Sequence, residues 1–402
     1  MAYSTAQAEP STASWPAVLS VSFAMFSLVT AELLPISLLT PIAADLNISI
    51  GAAGQAVTVT ATTAALASPL VILGSGRFDR RLLVWSLAAV LAVSCVISAV
   101  AGGLWQFLIG RVLLGLALGG TWALVTALAL RLVPTHQVAR AMSMILTGVS
   151  AASVVAPSAG AYLGEIVGWR GTFFAAAVLG LAALIAQVAT LPRLPAAQAL
   201  KLASFRTVVA RGSVVAGLAT IFLVLSGQFA SFTYIRPILE QLSRLEIDSI
   251  SLALFAFGIS GVVGSIVGGA LAARSAFLCA AGSSVFLMLA TTSLALVVSA
   301  PFVAIAATAI WGFAFGAFSV AIATWNAEAA PDHAESVGAL QASSFQISIA
   351  VGAIIGGATV EVFGPVGAIV YTCLAVLLGA AVMLTTGIRS RSRKMIDAIA
   401  QS

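Results

Sequence analysis

The chain has 402 residues, of which 8% are charged and 61% hydrophobic, and its mean hydropathy is +1.12. An ordinary globular chain carries about 25% charged residues, so this composition excludes a soluble enzyme, a disordered chain and a nucleic-acid binder. The net charge of +5 asks for a topological explanation instead.

A helix needs about 20 apolar residues to cross a bilayer, and twelve such runs follow one another along the chain. Met1–Ser14 precedes them as a polar tail without a basic n-region or a small-residue cleavage site, so the first span is expected to be retained. The first six runs are Pro16–Leu39, Gly51–Leu73, Leu82–Ala101, Leu104–Leu132, Ala139–Glu165 and Gly171–Leu191. The long polar connection Pro192–Gly212 comes next. Six further runs follow: Ser213–Ile235, Ile250–Ala272, Ala276–Val298, Phe302–Ala330, Val337–Val362 and Val366–Ile388. The fold class is therefore an all-α membrane protein, with twelve transmembrane helices in two six-helix pseudo-symmetric halves. The expected division is a tail at 1–14, a half at 15–191, a central loop at 192–212, a half at 213–388 and a basic tail at 389–402. Cys95, Cys279 and Cys373 lie inside apolar runs without CxxC spacing and read as small buried hydrophobes.

Alternate connections carry very different numbers of cations. One side collects 14 Lys and Arg residues, from Arg77, Arg80 and Arg81 to Arg393 and Lys394; the other holds Arg170, Arg236 and Arg244. The positive-inside rule then places both termini and the central loop in the cytoplasm. A constant offset of 197 residues relates the two halves: Gly115 and Gly119 fall on Gly312 and Gly316, Pro134 and His136 on Pro331 and His333, Arg77 on Arg274, and Gly160 on Gly357. A repeat of like orientation after six spans is one of the transporter plans. Small residues four apart at Gly115/Gly119, Gly264/Gly268, Gly312/Gly316 and Gly352/Gly356 are expected to be helix-packing faces. His136 and His333 sit in polar loops with no carboxylate or Cys at ligand spacing, so no metal site is expected.

Ionisable residues inside a membrane are costly and point to function. Glu32 and Arg111 stand in the first and fourth runs, both in the outer half of the membrane by helical rise. Glu32 reads as a proton carrier, or alternatively as a structural carboxylate near the interface. Arg111 reads as its partner, or as a guanidinium tying the carbonyls of a neighbouring helix. Glu361 and Glu328 end their spans and look interfacial; Arg236 looks like a snorkelling side chain. Helical spacing puts Trp122 and Thr126 on the face of Arg111, Trp311, Phe315 and Ser319 on a face of the tenth run, and Gln228 and Phe232 on the seventh, with Phe229 at its edge. Gln55 and Thr58 open the second run. Amides, hydroxyls and aromatics together suit a flat, uncharged, hydrogen-bonding solute.

These stretches resemble the major facilitator superfamily, in particular its twelve-span drug:proton antiporter branch. LGSGRFDRRLLV (Leu73–Val84) is similar to a contracted form of the superfamily's gating loop, with Asp79, Arg80 and Arg81 kept and one glycine missing. IGRVLLGLALGGTW (Ile109–Trp122) is similar to the branch's fourth-span motif, which implies a proton-coupling role for Arg111. The run from Gly148 to Gly164 resembles the antiporter motif, with Ala156-Pro157 for its usual Gly-Pro, and Gly160 beyond. AELLPISLLTPIAADLNIS (Ala31–Ser49), GQAVTVTA (Gly54–Ala61) and GQFASFTYIRP (Gly227–Pro237) resemble the bacterial purine ribonucleoside exporters. The resemblance implies a proton-driven exporter of inosine- or guanosine-like solutes in a bacterial inner membrane, needing no cofactor and working as a monomer. Sugar or chloramphenicol-type drug export remains the alternative within the superfamily, and a non-transporting sensor the alternative outside it. An enzyme or primary pump is not expected, because HExxH, GxSxG and GxxxxGK[ST] are all absent.

Overall fold

The computed structural model describes residues 13–74, 79–194, 210–296, 301–330 and 334–401. Arg77, Lys201, Arg206, Pro331 and His333 lie outside them. Among the described residues, twelve helices are long and apolar enough to span a membrane. The first half contains α1 (Trp15–Asp45), α2 (Ile50–Gly74), α3 (Arg80–Ala99), α4 (Leu104–Leu132), α5 (Val138–Ile166) and α6 (Gly168–Thr190). The second contains α7 (Gly212–Thr233), a short α8 (Ile235–Gln241), α9 (Ile247–Ala272), α10 (Ala276–Leu296), α11 (Pro301–Ala329), α12 (Ala334–Phe363) and α13 (Pro365–Gln401).

Two departures from the sequence expectation have plain causes. The seventh span is broken: Tyr234 leaves the helical region and α8 resumes at once, carrying Pro237 in its first turn. Proline has no N–H for the carbonyl four residues back, so a continuous helix would leave Thr233 unpaired. The last helix also continues through Gln401 instead of stopping at Ile388.

Each half has its own apolar core, one built mainly from residues between Ala17 and Leu194, the other mainly from residues between Ile221 and Met383. In the first half α1 packs on α5 and α6, α2 on α4, and α3 on α4 and α6. The second half repeats every one of these pairings as α7 on α12 and α13, α9 on α11, and α10 on α11 and α13. The halves meet where α2 packs on α12 and α5 on α9, a symmetric pair of seams.

The repeat reaches individual atoms. A Cβ on Gly115 or Gly119 would strike the carbonyl oxygen of Thr60 or Ala64; on Gly312 or Gly316 it would strike that of Phe257 or Gly261, each partner again 197 residues on. The Ser68 hydroxyl donates to the Gly119 carbonyl at 2.9 Å, and Ser265 to Gly316 at 3.3 Å. Left-handed backbone recurs as well. Asn47 (φ 51°) matches Arg244 (φ 52°), and the turns after α5 and α12 both use a glycine, Gly168 (φ 73°) and Gly364 (φ 67°). Only glycine adopts that conformation without a Cβ penalty. Because these helix crossings have no room for a side chain, Gly316→Leu is expected to force α9 and α11 apart. Overpacking typically costs about 1–3 kcal/mol, and a lower melting temperature in detergent, with Gly282→Leu on open surface as control, would measure it.

Candidate functional site

The first niche forms where α4 meets a weak point in α1. Pro35 lies inside α1 and cannot donate to the carbonyl of Ala31, four residues earlier. Arg111, 1% exposed, supplies the missing donor: its Nη1 reaches Ala31 O at 3.2 Å and its Nη2 reaches Glu32 O at 3.4 Å. Its Nε donates to Thr60 Oγ1 at 3.1 Å, which fixes α2 to the same point. Phe173 lies 5.9 Å from the guanidinium. Arg111 therefore ties neighbouring carbonyls, one of the two roles anticipated for it. Glu32 is half-buried beside it, and among the described residues its carboxylate has no hydrogen-bond or ion-pair partner. Arg111 hydrogen-bonds the backbone of Glu32, and its charge stands near the carboxylate without bonding it.

The second niche occupies the corresponding place in the other half. Positions 32, 60 and 111 map by the 197-residue offset onto Phe229, Phe257 and Thr308, so a charged niche is matched by an aromatic one. Phe232 stacks on Phe257 with centroids 4.7 Å apart, and Trp311 meets both edge-on at 6.0 and 5.6 Å. Phe315 lies 6.3 Å from Phe257 and from Phe229. Trp311 Nε1 donates to Gln228 Oε1 at 2.5 Å, while Gln228 Nε2 is buried without a partner among the described residues. Gln228, Trp311 and Phe232 are buried and form the back of this niche; Phe229 and Phe315 are partly open and form its front. Phe257 was not singled out in the sequence, where it is one apolar residue among many. Gln228→Leu would strip the buried Trp311 N–H of its acceptor, which typically costs about 1–3 kcal/mol. A fall in melting temperature of the purified protein is expected, and an unchanged value would show the bond contributes nothing.

The other candidates divide between these niches and the scaffold. Thr58 is buried, its hydroxyl unpartnered among the described residues, Gln55 is half-buried one turn away, and Trp122 is exposed. Ser319 spends its hydroxyl on the Phe315 carbonyl at 2.9 Å, and Thr126 belongs to α4. Gly160, Ala156 and Pro157 are buried on α5; a Cβ on Gly160 would meet Ser37 and Leu34, and one on Gly148 would meet Ser22. The antiporter-like motif is thus the seam along which α5 approaches α1, the helix bearing Glu32. Asp79 caps α3 by accepting from Arg81 N at 2.9 Å and also accepts from Leu194 N at 3.1 Å. Arg80 is buried, and Arg81 lies over the Trp85 ring at 4.2 Å. The loop charges thereby bind the start of α3 to the segment after α6.

One expectation is overturned. Arg236 does not snorkel: it is 7% exposed, its Nη1 donates to Ser37 O of α1 at 2.6 Å, and its Nε pairs with Glu240 at 2.6 Å. Nearby, the Tyr234 hydroxyl donates to Ala353 O at 3.0 Å and lies where a Cβ on Gly54 or Gly357 would fall. The GQAVTVTA and GQFASFTYIRP stretches interlock there, glycine against tyrosine.

The sequence matches the Major Facilitator Superfamily over residues 19–353. It is 41% identical over 350 residues to the purine ribonucleoside efflux pump NepI of Salmonella typhimurium (strain LT2), spanning 87% of this chain and 88% of that protein. It is 39% identical over 369 residues to the same-named pump of Salmonella enteritidis PT4, spanning 92% and 93%. Crystal structures of a bacterial homologue of the human lysosomal transporter Spinster share the fold. The inward-facing occupied form gives a TM-score of 0.70 at 14% identity, over 92% of this chain and 93% of that one. The unoccupied form gives 0.69 at 15% identity.

Proposed function

The chain belongs to the major facilitator superfamily, and on that premise we propose that it exports purine ribonucleosides such as inosine and guanosine in exchange for protons. It is a multi-pass membrane transporter and not an enzyme. The observation that carries the finer reading is the pairing of niches: an ionisable one around Glu32 and Arg111, and an aromatic–amide one in which Gln228, Trp311 and Phe315 stand beside Phe229 and Phe257, the equivalents of Glu32 and Thr60 in the other half. A carboxylate in a low-dielectric setting can take up and release a proton as access alternates. Aromatic faces with amide groups suit a planar purine, and the Salmonella relatives are named for that substrate class.

In this reading the halves rock about a midplane site, a proton entering on Glu32 as one nucleoside leaves. Phe229, Phe315, Gln55, Thr58 and Trp122 contribute to the solute's path, with Gln228 and Trp311 as its rigid backing. The Lys and Arg imbalance supports cytoplasmic termini in a bacterial plasma membrane, with the monomer as the working unit. The test is proton-driven uptake of labelled inosine into everted vesicles. Guanosine is expected to compete, and sugars and chloramphenicol are not; competition by sugars alone would move the substrate to the sister class.

A further inference from the structure

Two prolines interrupt α1, and each frees a carbonyl that an arginine occupies. Pro35 frees Ala31 O, which Arg111 of the same half takes. Pro41 frees Ser37 O, which Arg236 of the opposite half takes at 2.6 Å. Glu240, one turn further along α8, fixes that arginine through its Oε1 at 2.6 Å. Its Oε2 accepts from Thr40 Oγ1 of α1 at 2.6 Å. The pair thus grips α1 twice, once by the cation and once by the carboxylate. The Ser49 hydroxyl donates to Glu361 between the same two halves. All three links lie at the end of the molecule away from Trp15 and Gln401.

From this geometry we infer that Arg236 and Glu240 form a latch holding the halves together on the outer side, with the proline-freed Ser37 carbonyl as its catch. An arginine that were merely buried would need only its carboxylate; this one reaches past it to a backbone acceptor that exists because of Pro41. A charged group paired and hydrogen-bonded on both sides is stable while buried, and separating the halves returns both ions and the free carbonyl to water. Such a contact closes firmly yet opens without leaving an orphaned buried group. The broken helix at Tyr234 is what turns α8 toward α1 and brings Arg236 to it. The latch rests on the alternating-access reading, but on neither the solute nor the proton.

Its test needs no substrate. Ala161 of α5 is fully buried within the core of the second half, so Ala161→Cys in a background lacking the three native cysteines reports opening of the outer side to a membrane-impermeant maleimide. In proteoliposomes, Arg236→Met and Glu240→Gln are each expected to raise the labelling rate several-fold. Pro41→Ala leaves both ions in place but restores a helical N–H that competes for Ser37 O, and is expected to raise labelling to a smaller extent. Equal labelling of these variants and the parent would overturn the latch. If Arg236→Met does not fold, Glu240→Gln and Pro41→Ala carry the same expectation. A failure of inosine export with labelling as expected would remove the substrate and keep the latch.

Discussion

Glu32→Gln is expected to bring pH-gradient-driven export down to the background of membranes lacking the protein, while melting temperature and expression stay close to the parent's. The substitution is nearly isosteric and removes only the ability to carry a charge. Among the described residues the Glu32 carboxylate has no hydrogen bond or ion pair to lose, because Arg111 bonds the Glu32 carbonyl and not its side chain. Structural cost is therefore small, and any large effect belongs to the transport cycle. Counterflow exchange of labelled for unlabelled inosine at equal pH separates coupling from carriage. It is expected to persist in the variant, since that exchange requires no net proton movement. Normal gradient-driven flux in Glu32→Gln would remove this carboxylate from the mechanism.

Arg111→Met acts in the opposite manner, damaging structure first. Three hydrogen bonds disappear, to Ala31 O, Glu32 O and Thr60 Oγ1. Bonds to charged groups are typically worth about 1.5–3 kcal/mol each, and Pro35 leaves Ala31 O with no helical donor to fall back on. A loss of several kcal/mol, visible as a large drop in melting temperature together with loss of transport, is expected. Adding Pro35→Ala returns an N–H to that carbonyl. The double variant is therefore expected to recover part of the stability, a coupling that a mutant cycle measures directly. Transport is not expected to return, because the charge beside Glu32 is still missing. Purely additive melting temperatures would show that Arg111 does not serve the proline-freed carbonyl.

Much of the architecture could be read directly from the residues. Apolar runs placed twelve spans because a bilayer demands their length, and the 197-residue offset placed Gly115 and Gly312 in equivalent crossings because close approach tolerates only a missing Cβ. The candidate niches were half legible. Gln228, Trp311 and Phe315 declared themselves as polar or aromatic residues on a helical face, whereas Phe257 looks like any lipid-facing or core residue until α9 is placed against α7. Arg236 was misread because the backbone carbonyl it reaches, Ser37 O, lies 199 residues away, and the Glu240 that pairs with it four residues on is itself tied to Thr40 of α1. The prolines of α1 announced two open carbonyls, but which arginine fills each is decided by tertiary packing alone.

The matched niches carry a consequence for how such a protein changes over generations. Because one scaffold is built twice, with Glu32, Thr60 and Arg111 in one copy and Phe229, Phe257 and Thr308 in the other, the charged set and the aromatic set occupy separate hereditary territory. On the proposed export reading, substitutions in α7, α9 and α11 would redraw the aromatic backing of the solute's path while Glu32 and Arg111 are inherited intact.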